Sequence, residues 1–134
     1  MLGSKLKWTF CSGSVAMSPT SEIPTYQPFH PDTNFEYLRH SFSLVVNEPL
    51  GTMTHENGLT EMWLRTHTDT GLDVQERRHE RSSGSIKSTA HENRRVVRAP
   101  CQPVVPKEFV AIRNLQLWHC GVGNQTEDVR VMLP

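Results

Sequence analysis

The 134-residue sequence has no CxxC pair, no long apolar run and no net charge, and each absence removes a class of protein. Three cysteines at wide spacing, Cys11, Cys101 and Cys120, are neither a disulfide framework nor a zinc ribbon. Reduced thiols in a cytoplasmic or nuclear protein suit them best. A bilayer span needs about 18–20 apolar residues, and no stretch approaches that, so no membrane association is expected. With 14 basic and 14 acidic residues, nothing global steers the chain to nucleic acid. The phosphate-cradling patterns GxxxxGKS and GxGxxG and the nucleophile elbow GxSxG are also missing, so neither a nucleotide site nor a serine hydrolase is indicated. The N-terminus is too polar for a secretory signal, and the first arginine, Arg39, comes too late for a transit peptide. Apolar residues are few as well. They make up 36% of the chain, against roughly 45–50% in ordinary globular proteins on a count that includes glycine, so one domain with a thin core is expected.

The central stretch, His40 to His79, carries the best fold signal. Phe42, Leu44 and Val46 alternate against Ser41 and Ser43, and Asn57-Gly58 lies between apolar runs, which is a β-hairpin signature because both residues accept positive φ. The fold class expected is therefore mainly β, a small irregular antiparallel sheet with a hairpin around Asn57-Gly58, residues 51–55 pairing with 59–67. Residues 1–34 read as an extended or disordered arm, since Pro19, Pro24, Pro28 and Pro31 exclude a helix or a central strand. Residues 35–74 form the hairpin core. Residues 75–98 read as a basic polar or disordered loop, since 75–95 offers only Ile86 and Ala90 as apolar residues among its serines. Residues 99–134 read as a proline-paced connector, Pro100, Pro103 and Pro106, followed by strands that pack on the core. Trp63 points away from Met62 and Leu64, so it needs cover from the proline-rich arm or the C-terminal segment.

Charge is segregated along the chain. Acids predominate from 20 to 76 and bases from 77 to 113, a pattern that suits two halves facing one another or a partner of mixed charge. The sequon Asn124-Gln125-Thr126 matters only in a secreted chain.

Histidine is the enriched functional type, at positions 30, 40, 55, 67, 79, 91 and 119. His55, His67, His79 and His91 recur every twelve residues, but the apolar columns between them do not keep that register, so no repeat architecture follows. No His-Glu pair has a second histidine at helical zinc spacing. Candidate metal ligands are His55, His67, His79, His91, His119 and Cys120, and candidate protein-binding residues are Tyr26, Phe29, Trp63 and Trp118. No catalytic residue and no cofactor are expected from these patterns, with zinc as the alternative.

Taken together the residues suggest a small non-enzymatic protein-binding protein whose partner is another protein. A histidine-rich metal-binding domain or metalloenzyme is the alternative. A recently arisen reading frame without a settled fold is a further one.

Overall fold

The computed structural model of the chain describes residues 7, 11–20, 26–33, 43–69, 71, 73–76 and 84–133. The basic run 77–81 and the segment Phe35–Leu38 lie outside the described residues. As expected, the protein is mainly β, with small antiparallel sheets and one short helix. In the larger sheet, β1 (Ser14–Ala16), β6 (Arg130–Leu133), β2 (Leu44–Pro49) and β4 (Ala111–Asn114) lie side by side in that order. In the smaller one, β3 (Thr60–Met62) pairs with β5 (His119–Gly121). Among the described residues no helix is long and apolar enough to cross a membrane.

The pairing differs from the simple hairpin. Residues 51–55 do not meet β3; Met53 bridges Val105 instead, and β3 takes β5 as its partner. The Asn57 side chain explains the change. Its Oδ1 accepts from the Thr54 amide and its Nδ2 donates to the Thr52 carbonyl, so the turn closes on itself rather than launching a return strand. Gly58 then passes at φ +90°, where an added Cβ would stand 2.8 Å from the Val122 carbonyl oxygen. Glycine is required there by both conformation and space.

The proline-rich arm is docked. Gln27, His30 and Asp32 donate backbone hydrogen bonds to Gly121, His119 and Leu115, so residues 27–32 run beside β5 as an added edge strand. Pro28 and Pro31 have no N–H to give, and they occupy positions between these donors, as an edge strand allows. Phe29 from this arm meets Trp63 edge-on, ring centroids 5.8 Å apart. With Trp118 and Ile86 it forms one core cluster, and the cover that Trp63 requires comes from both the arm and the C-terminal segment. A second cluster joins Met53, Leu59, Val105 and Met132.

Residues 88–97 of the expected polar loop form a helix, α1 (Ser88–Val97). No residue of it is buried. It is held by contacts that apolar periodicity does not register. The His91 ring lies 4.3 Å from that of Phe29 and 4.4 Å from that of Trp63, Arg95 sits over the Trp63 ring, and Arg94 donates to the Leu64 carbonyl. It ends where Pro100 disfavours a helical conformation in the residue before it. Among the described residues the segregated charges meet at the ion pair of Arg113 with Asp32.

Candidate metal centre

The register of the arm on β5 assembles the site. His30 and His119 exchange both backbone hydrogen bonds, each 3.0 Å, so their side chains start from directly opposed positions and their ring centroids lie 4.6 Å apart. Asp32 lies two residues beyond His30 on extended backbone, and that period returns its side chain to the same face. The result is two imidazoles and a carboxylate whose potential ligand atoms all lie within 4.8 Å of one another. Among the described residues this is the one group of that kind.

Both imidazoles are pre-set for metal. His30 Nδ1 lies 2.7 Å from the Pro28 carbonyl and His119 Nδ1 lies 2.9 Å from the Leu117 carbonyl. A carbonyl only accepts, so each Nδ1 carries a proton, and Nε2 is the ring nitrogen left to offer a lone pair to a metal. The His119 Nε2 faces Asp32 Oδ1 at 3.5 Å. Burial, reinforced by the neighbouring Arg113 guanidinium, pushes the His119 pKa down to about 4, which keeps the ring neutral and able to ligate in ordinary buffers.

The group opens on a cavity of about 660 Å³ lined from both sheets, within the size range of small-ligand sites. Arg130 lines it too. Arg130 and Met132 alternate inward along β6, so the guanidinium is carried into the interior, where it is 6% exposed. Among the described residues its Nε and Nη1 have no hydrogen-bond partner, and burial lowers its pKa. A buried cation without a counter-charge is costly. Asn47, 2% exposed on the same wall, leaves its Oδ1 without a donor.

Of the histidines singled out from sequence, His119 is in this group. His55 is exposed and contacts Gln102, His67 lies on a single 3₁₀ turn, and His91 packs on aromatic rings. His79 lies outside the described residues. Cys120 is fully buried beside Glu61, its thiol pushed up to about 12 by burial, so it stays protonated. Trp63 and Trp118 are core residues, 1% and 2% exposed; Phe29 packs against them and Tyr26 stays exposed. The Asn124 amide is spent internally, donating to Ala16 and Asp128, so the sequon asparagine acts as a tie between β1 and the loop before β6. Sequence reasoning missed His30 and Asp32. The signal was His30-Pro31-Asp32, two ligand types at strand spacing, but it sits in a proline-rich stretch that read as an arm.

No protein-family model matches the sequence, and no curated protein matches it. The fold does match solved structures. EvdMO1 superposes over 98% of this chain and 27% of its own, at 16% identity and TM-score 0.71. The non-heme monooxygenase ThoJ, in its apo form, matches over 92% and 42%, at 15% identity and TM-score 0.62. EctD from S. alaskensis, crystallised with 2-oxoglutarate and 5-hydroxyectoine, matches over 92% and 40%, at 13% identity and TM-score 0.67. The chain spans less than half the length of each of these proteins.

Two expectations are corrected. The expectation of a non-enzymatic protein-binding role is overturned by the fold, which is similar to that of the non-heme monooxygenase ThoJ and of EctD. The expectation of no cofactor gives way to the histidine–aspartate–histidine group placed to hold a metal. The alternative, a histidine-based metal-binding domain or metalloenzyme, is the reading these findings favour. His119 was within reach of it, but its two partners were not. Nor does the idea of an unsettled fold suit a chain that superposes almost throughout on a solved structure.

Proposed function

We propose that this chain carries the metal centre of a non-heme iron oxygenase that uses 2-oxoglutarate as co-substrate. The observation that carries the proposal is the convergence of His30, Asp32 and His119 on a cavity also lined by Arg130, whose buried Nε and Nη1 have no partner among the described residues. Two histidines and one carboxylate with open positions are the donor set of non-heme iron(II) oxygenases. A similar set also serves zinc hydrolases. The fold and the arginine favour iron, because a buried guanidinium suits a carboxylate co-substrate and zinc hydrolysis has no need of one. Iron(II) held there would supply the activation of dioxygen.

The chain's own residues have separate tasks. His30 and His119 offer Nε2, and Asp32 offers a carboxylate oxygen. Arg130 recognises the co-substrate's distal carboxylate through paired N–H donors, which also removes the cost of its burial. Asn47 Oδ1 accepts from a hydroxyl or an N–H of whatever occupies the cavity. Free thiols at Cys11, Cys101 and Cys120 suit a reducing compartment, cytoplasmic or nuclear.

Anaerobic iron(II) titration followed by an assay of 2-oxoglutarate consumption tests this. One iron per chain is expected, lost in Asp32→Ala and His119→Ala. Arg130→Leu should keep the iron while weakening 2-oxoglutarate binding by about 2–5 kcal/mol. Stoichiometric zinc with no affinity for 2-oxoglutarate would contradict the proposal.

A further inference from the structure

The Asp32 carboxylate is divided between two neighbours. Its Oδ1 faces the His119 Nε2, while its Oδ2 accepts from Arg113 Nη1. Arg113 comes from β4, inward-facing with Ala111, and its side chain is 8% exposed. Asp32 is tied to the segment after β4 through its amide on the Leu115 carbonyl, so both partners are fixed by backbone pairing rather than by surface chance. Among the described residues the buried Arg113 Nε has no hydrogen-bond partner, and Asp32 is the carboxylate its guanidinium meets.

We infer that Arg113 is a positioning residue that keeps Asp32 a one-oxygen ligand. This rests on the metal reading above. A carboxylate binds a divalent ion through one oxygen or chelates it through both. A guanidinium donating to Oδ2 occupies that oxygen and leaves Oδ1 for the metal. The arrangement has two opposed consequences. The metal must share the carboxylate with a fixed positive charge, which weakens its binding. In exchange, one more coordination position stays open for an exogenous ligand. Removing the guanidinium leaves a partly buried carboxylate uncompensated in the metal-free protein, so a dication should bind more tightly, and the freed Oδ2 can close the open position.

The test is a cobalt(II) titration of the full chain, followed by visible absorption, on wild type, Arg113→Gln and Arg113→Lys. Thermal melts first establish that each variant is folded. Arg113→Gln is expected to bind cobalt(II) about tenfold or more tightly than wild type. Its cobalt spectrum should respond to added 2-oxoglutarate only at concentrations about tenfold higher. Arg113→Lys, which keeps the charge and a donor, should stay near wild type in both. If Arg113→Gln binds cobalt(II) no more tightly and its spectrum responds to 2-oxoglutarate as wild type does, Arg113 is a structural ion-pair partner only and the inference is overturned. Failure of wild type itself to bind cobalt(II) would overturn the metal reading, and this inference with it.

Discussion

At His119 the two ring nitrogens have different work, and the pH dependence of the protein follows from that division. The ring's pKa falls from the ordinary 6.5 to about 4 on folding, chiefly through burial. Between those values the unfolded chain takes up a proton that the folded chain does not, so stability should decline as pH falls from about 6.5 to about 4 and level off below. Above 6.5 this contribution is constant. Urea unfolding across that window checks it, and His119→Asn should flatten the slope. Gly58 offers a second test at the same scale. Its φ of +90° and the 2.8 Å approach of the Val122 oxygen leave no room for a side chain, so Gly58→Ala should cost about 1–3 kcal/mol of stability. A smaller effect would mean that the 57–58 turn relaxes. Single residues were also where the sequence was hardest to interpret. The local mark of ligation at His30 and Asp32, two ligand types at strand spacing, is weak by itself, because their partner His119 is far along the chain and the β register brings the three together.

Among the elements, α1 shows why part of the fold was legible and part was not. Alternation marked part of β2, and the side on which Trp63 falls, away from Met62 and Leu64, correctly demanded cover. The helix left no such trace. A helix without a buried residue is attached by an imidazole, arginines and Ala90, and the one apolar residue among these sets no period by itself. His91→Ala should therefore loosen α1 from the small sheet. The loss expected is about 0.5–1.5 kcal/mol for each aromatic contact removed, accompanied by a red-shifted tryptophan emission as Trp63 gains solvent. An unchanged emission maximum would show that α1 does not shield Trp63. The Asn57-Gly58 pair misled in the opposite direction. Of the pair only Gly58 takes the positive φ expected of both residues, and the strand the turn seemed to launch was captured by β5.

For the whole molecule, the two sheets contribute different halves of one site. The smaller sheet and its docked arm bring His30, Asp32 and His119, while the larger brings Arg113 and Arg130. Metal binding should therefore couple to folding. Saturation with iron(II) or cobalt(II) at 100 times the dissociation constant would add about 2.7 kcal/mol, read as a raised melting temperature that EDTA reverses. The central claim is most directly tested by a crystal structure of the chain grown anaerobically with manganese(II) and 2-oxoglutarate, using the metal's anomalous signal. The account expects one metal ion on His30 Nε2, His119 Nε2 and an Asp32 oxygen, with a 2-oxoglutarate carboxylate on Arg130. A metal bound elsewhere, or an Arg130 still unpartnered with the co-substrate present, would contradict it.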